Sequence, residues 1–141
     1  MKTIVVIDGQ GGGIGSTIIK KLKERYSERI EIIALGTNAV ATANMLKAGA
    51  NRGASGQNAI VRTSRHADMI IGPISIVMAN AMLGELTPRM AEAIASSAAR
   101  KILIPLSQEN VAVVGVTFNP LPRLIETMLA ENLSDGELLG Q

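Results

Sequence analysis

The sequence predicts an α/β fold with a mostly parallel sheet of about five strands. Three observations predict it. An apolar run, Ile4-Val5-Val6-Ile7, leads into the glycine loop 8–15 and then into a helical pattern. A second apolar run, Ile30-Glu31-Ile32-Ile33-Ala34-Leu35, follows about 25 residues after the first, with helical periodicity between them. Strand, helix and strand at that spacing form a βαβ unit, whose strands are parallel with a right-handed crossover. Two further apolar runs, at 69–71 and 101–106, continue the alternation. Together they describe a Rossmann-like three-layer sandwich in a single domain over residues 1–133, with a frayed tail at 134–141.

Each element has its own reason. Strand one covers 3–8. The first helix, 13–26, carries Ile14, Ile18, Ile19 and Leu22 on one face. Gly36-Thr37-Asn38 ends strand two, and Asn38 caps a helix to about Ala48, stopped by Gly49. Residues 49–57, rich in Gly, Asn and Ser, read as a loop, and 58–65 as a short helix. Met69-Ile70-Ile71 is strand three, closed by Gly72-Pro73. Ser75 caps a helix over 76–83, apolar on nearly every side except Asn80. Thr87-Pro88 starts the next helix, to about Ala99. The polar break at 107–110 is too short for a parallel crossover, so Val111-Ala112-Val113-Val114-Gly115-Val116 is expected as a fifth strand, antiparallel to the fourth. A last helix follows Pro120 and Pro122, to about Asn132.

Composition narrows the function classes. The 141 residues are 47% hydrophobic and 18% charged, which fits a globular domain with an aliphatic core. One Phe, one Tyr and no Trp leave no aromatic platform for stacking nucleic-acid bases. The absence of Cys excludes disulfides and thiolate chemistry and suits a reducing cytoplasm. No apolar run reaches the length that spans a membrane. Residues 1–65 carry ten basic and four acidic side chains, residues 66–141 four and eight; the basic excess on the first helix reads as a solvated face.

The chemistry is expected at the carboxyl ends of the strands, where doubly wound sheets bind ligands. Five of the eight residues 8–15 are glycine. Gly9, Gln10, Gly11, Gly12 and Gly13 form a loop that opens on Ile14, Gly15 and the helix N-terminus, an arrangement that cradles phosphate. Three more segments belong to the same edge: Thr37 and Asn38; Gly72, Pro73 and Ser75; and Pro105-Leu106-Ser107. Asp8 ends strand one beside the loop and is the best placed acid for a ribose hydroxyl, a magnesium ion or the loop's own N–H groups. The end of strand two has no Asp or Glu to hold the ribose of NAD, so NAD is not expected to be strongly preferred over NADP or an adenine mononucleotide. His66 is a lone histidine ahead of a strand and reads as structural or surface, and Asp68 as a local cap or pair. Glu85 and Asn80 flank the break in the apolar helix, where pairing with a neighbouring helix is role enough. There is no Walker lysine, no Ser-His-Asp order and no multi-histidine metal site.

The spacing Gly9-x-x-x-Gly13-Ile14-Gly15 resembles the glycine loop of short-chain dehydrogenases over the first thirty residues. That resemblance implies the fold and not the chemistry. Asp8 stands in place of the family's threonine, and its Tyr-x-x-x-Lys is missing, since Ile30 lies four residues after Tyr26. Over nearly the whole chain, DGQGGGIG, ALGTNAVATANMLKAGA, ADMIIGPISIV, MLGELTPRMAEAI and KILIPL resemble an uncharacterised family of small bacterial proteins. This resemblance implies a one-domain Rossmann-like protein of the bacterial cytoplasm and supplies no activity. The leading expectation is a nucleotide- or dinucleotide-binding sensor or binding module, its cofactor NAD(P) or an adenine nucleotide. The alternatives are an NAD(P)-dependent oxidoreductase and a non-catalytic assembly subunit. The apolar helix at 76–83 is expected to make the protein a homodimer.

Overall fold

Every residue of the first apolar run is buried on both sides, which fixes its strand at the centre of the sheet. The computed structural model describes residues 1–107 and 109–140; Gln108, within the polar break, and Gln141, at the end of the tail, lie outside the described residues. Five strands are present among the described residues: β1 (Thr3–Asp8), β2 (Glu31–Gly36), β3 (Arg52–Ser55), β4 (Met69–Pro73) and β5 (Arg100–Ile104). They pair in the order β3-β2-β1-β4-β5, and every pairing is parallel. The chain runs outward from β1 to β3, then returns to the other side of β1 for β4. The crevice between β1 and β4 is therefore the switch point of the sheet, where the ends of two loops diverge and leave a gap.

Six α-helices accompany these strands among the described residues: α1 (Gly13–Tyr26), α2 (Ala39–Lys47), α3 (Gln57–Ser64), α4 (Pro88–Ser96), α5 (Leu121–Thr127) and α6 (Asp135–Leu139). Side chains along β1 alternate between two cores, as the period of a strand requires. Ile4 and Val6 meet Ile18, Ile19 and Leu22 of α1 and Met45 of α2, together with Ile125 and Met128. Val5 and Ile7 meet Ile60 of α3 and Met90 and Ile94 of α4. Both faces being covered explains why β1 and β4 read as continuous apolar runs, and β2 from Ile32 to Leu35.

Four expectations are corrected. Residues 49–57 are not all loop, because Arg52–Ser55 pairs in parallel with β2. All four residues of β3 are exposed and none is β-branched; backbone pairing to the open edge of β2 makes the strand, begun by the Asn51 amide donating to Ile32 O at 2.9 Å. The apolar stretch 76–83 is not a helix. A short 3₁₀ turn, Ile74–Val77, gives way to a loop in which Asn80, Met82 and Leu83 have φ of 65°, 59° and 57°. Ile76, Ala81, Met82 and Leu86 are buried against the chain's own sheet. The hydrophobicity thus reflects a loop that covers the core, and the helix expected to form a dimer interface is absent.

The antiparallel fifth strand is also absent. Residues 111–118 form no strand, and Val114 is 98% and Phe118 87% exposed. Glu109 Oε1 accepts from the Met82 amide at 2.7 Å. That bond ties Glu109 to Met82 at the cavity, and Gly115, Val116 and Thr117 lie beside β5 without pairing to it. Finally, the tail is folded. Ser134 Oγ accepts from the Glu137 amide at 3.1 Å and caps α6, while Leu138 is buried. Tyr26 donates its hydroxyl to Asp135 at 2.9 Å, and Arg100 pairs with Glu137. Anchored at three points, the last turn packs on the α1 side of the sheet.

Candidate functional site

The loop after β1 is built around Asp8. Its carboxylate is 5% exposed and accepts two backbone hydrogen bonds, from the Gly9 amide at 2.8 Å and the Gly15 amide at 2.7 Å. Gly15 lies in the first turn of α1, so Asp8 satisfies an orphan donor of that helix and places a negative charge at its positive end. Burial pushes the carboxyl above its ordinary value; the amides of Gly15, Gly9 and Ile14 pull it back, and the nearby charge of Glu85 adds to the rise. Of the roles open to Asp8, the geometry supplies the bond to the loop's own N–H groups.

The five glycines divide into two kinds. Gly9, Gly12 and Gly15 are buried, and each is bare because protein fills the space. A Cβ on Gly9 would meet Met82 Sδ and lie 2.5 Å from Thr37 Oγ1. On Gly12, which has φ of 72°, it would lie 2.8 Å from Ala41 O; on Gly15, 2.6 Å from Met45 Sδ. Gly11 and Gly13 are exposed, and a Cβ on either would meet nothing within 4 Å. Their amides donate to no acceptor among the described residues, whereas Gly12 donates to Gly9 O and Ser16 to Gly12 O. So the loop offers a bare outer rim at Gly11 and Gly13, while Asp8 occupies its inner side.

A cavity of about 340 Å³ opens beside Gln10 and Ile14, the residues that flank this rim. It is lined by Asp8, Gln10, Ile14, Pro73, Ser75, Met82, Leu106, Ser107 and Glu109. These residues come from the carboxyl ends of β1, β4 and β5, the position the switch-point rule assigns to a ligand. The volume lies at the lower end of the range for small-molecule sites, roughly 300–1,000 Å³. Ser75 is 5% exposed, lines the cavity, and its hydroxyl has no hydrogen-bond partner among the described residues. Ile14, Pro73, Met82 and Leu106 give the cavity an apolar wall.

Thr37 and Asn38 do not line this cavity. They turn to Glu85, whose Oε1 accepts from Thr37 Oγ1 at 2.7 Å, Asn38 Nδ2 at 2.8 Å and the Gln10 amide at 2.9 Å. The Thr37 hydroxyl holds the Glu85 carboxyl below its ordinary value; burial opposes this, and the Gln10 and Asn38 donors add to it. Asn38 still caps α2, accepting from the Ala41 amide at 2.8 Å. Gly72 is buried within β4, where a Cβ would press on Ile7 O, so it serves strand packing and does not line the crevice. His66 is exposed, and Asp68 accepts from the Thr3 amide at 2.7 Å, both at the opposite end of the sheet.

Sequence reasoning missed Met82 and Glu109 as lining residues, and it gave Glu85 a different role. No local pattern marks them, because they are brought in by loops far along the chain. A signal existed for Glu85, since a lone acid after Gly84 interrupts an otherwise apolar stretch. No group of three or more His, Cys, Asp or Glu able to hold a metal occurs among the described residues, and no helix there is long and apolar enough to cross a membrane.

No curated protein and no solved structure matches the chain. A family model does, over residues 3–135, from the first strand through the start of α6. The chain therefore belongs to the family described as Domain of unknown function (DUF3842).

Proposed function

We propose that the protein is a binding module for a small phosphorylated ligand, most simply a nucleotide, held in the crevice between β1 and β4. One observation carries the reading. The cavity at the switch point is lined by Gln10 and Ile14, which flank the glycine run 11–13, and the exposed amides of Gly11 and Gly13 have no acceptor among the described residues. A phosphate oxygen accepting from them would lie near the N-terminus of α1, where the helix dipole favours an anion. The rest of the ligand would lie against Ile14 and Leu106, with Ser75 to hydrogen-bond a hydroxyl. Gly13→Val is expected to weaken binding of AMP or ATP at least tenfold, about 1.4 kcal/mol, in isothermal titration. The space around residue 13 is open, so the variant should fold. Wild-type affinity in a folded Gly13→Val protein would end the proposal. Mass spectrometry of molecules that co-purify with the chain would identify the ligand class directly.

A sensor fits this site better than an NAD(P)-dependent oxidoreductase. Asp8 uses both carboxylate oxygens on backbone amides, and the described residues that line the cavity include no tyrosine, lysine or histidine to move a proton. Turnover of a reduced nicotinamide cofactor would favour the enzyme. A nucleotide ligand and a cysteine-free sequence both go with a reducing cytoplasm.

We also propose a homodimer, now on a different surface from 76–83. Val111, Val113, Val114, Val116 and Phe118 form a run of exposed apolar residues beside β5. Exposed apolar surface of this kind marks interfaces, and two-fold pairing is the commonest closed arrangement. Light scattering coupled to size exclusion should give twice the chain mass for wild type and the single-chain mass for Val114→Glu with Phe118→Glu. A wild-type monomer at micromolar concentration would refute the pairing.

A further inference from the structure

We propose that Glu85 is the specificity-determining residue of the crevice: its carboxylate fills the half above β2, so the site takes a ligand one nucleotide long and rejects a dinucleotide. The inference rests on the nucleotide reading above and names which nucleotides that site accepts.

In a doubly wound sheet a dinucleotide lies across the strand ends, with its pyrophosphate at the first helix and one ribose against the end of β2. Here the donors that would meet that ribose are taken. The Thr37 hydroxyl, the Asn38 amide and the Gln10 N–H all converge on Glu85 Oε1, within 2.7–2.9 Å. The carboxylate bridges the turns after β1 and β2, the two between which a ribose would have to enter. Its charge also opposes any phosphate brought to that side, the 2′-phosphate of NADP included. Gly9 shows how closely this half is filled, because a single Cβ there would already meet Met82 Sδ, Thr37 and Glu85.

Glu85 is held in place from several directions. Its loop is closed by the Asn80 amide donating to Leu86 O at 2.8 Å, and by the Glu85 amide donating to Met82 O at 3.1 Å. Met82 is buried and donates its amide to Glu109, which also lines the cavity. Three non-glycine residues with left-handed φ, Asn80, Met82 and Leu83, give this loop its path. Leu83 is fully exposed, so nothing in its own packing calls for that conformation; the path serves to bring Met82 down onto the sheet and Glu85 onto the loop after β1. The half of the crevice over β4 and β5 is left open at about 340 Å³.

Isothermal titration of AMP, NAD and NADP into wild type, Glu85→Ala and Asn38→Asp tests this. Wild type should bind AMP at least tenfold more tightly than NAD or NADP. In Glu85→Ala the ratio of NAD to AMP affinity should rise tenfold or more, and the NADP ratio with it. Asn38→Asp keeps an acceptor for the Ala41 amide but sets a carboxylate against Glu85, so it should expel that side chain and raise the ratio for NAD and not for NADP. Circular dichroism checks that each variant folds. Tight AMP binding with ratios unchanged within twofold in both variants would overturn the role of Glu85 and leave the site reading intact. Failure of wild type to bind any of the three would overturn the site reading and this inference together.

Discussion

Gly72→Ala is expected to destabilise the protein by about 3 kcal/mol, the upper end of the range for overpacking a well-filled interior. Gly72 lies in β4 beside the central strand, one residue past the Val6–Ile71 pairing. Its added Cβ would press on the carbonyl oxygen of Ile7 and lie 3.0 Å from Ile76 Cδ1. The first obstacle is backbone in the middle of the sheet and cannot rotate away. The strand would have to move, and the crevice beside it would move as well. Urea denaturation measures the effect. Gly13→Ala is the control, because residue 13 has open space around it and a negative φ, and surface changes of this kind stay within about 0.5 kcal/mol. Equal stability of the two variants would contradict the close approach of β1 and β4.

Asp8→Ala carries the second largest expected effect, a loss of about 2 kcal/mol at neutral pH. The substitution leaves the amides of Gly9 and Gly15 without their acceptor in a buried position, and the relief of removing a desolvated charge offsets part of that cost. The pH dependence has a definite sign. Folding raises the Asp8 pKa above its ordinary 3.8, chiefly by burial. The native state therefore holds this proton more tightly than the unfolded chain. The corresponding stability is fully present below about pH 3.8 and is lost as pH rises through the raised value. The wild-type advantage over Asp8→Ala should accordingly shrink across that window and level off above it. An advantage that grows with pH there would show that the amide bonds outweigh burial.

Much of the fold was legible because it follows local periodicity. β1 and β4 are buried on both faces, so each is a continuous apolar run, β2 is apolar from Ile32 to Leu35, and α1 displays its buried stripe at helical spacing. The caps at Asn38 and Thr87 stand where their side chains were expected to act, each accepting from an amide three residues on. The failures share a cause. Apolar residues at 76–83 and 111–116 signal burial or pairing, and neither periodicity nor length says which partner the segment finds. For the first it is the sheet's own face across a turning loop. For the second it is no strand among the described residues, and Val114 and Phe118 stay exposed. β3 has the opposite problem, for its residues carry no strand preference and the edge of β2 recruits them.

By itself the sequence determined an α/β fold with a mostly parallel sheet, whose glycine loop lies between the first strand and the first helix. Those features depend on neighbours within a few residues, where backbone geometry and side-chain spacing leave little choice. Only the tertiary structure decided what that loop faces. Three of its five glycines are filled by Met82, Thr37, Ala41 and Met45, and two are left open. Glu85 reaches the Gln10 amide across 75 positions of chain, and Glu109 reaches Met82 across 27. Contacts of that separation are set by how helices and loops pack over the strand ends, and the physical reason they escape the sequence is that a carboxylate can satisfy any nearby donor. Which donor it meets is a property of the folded surface.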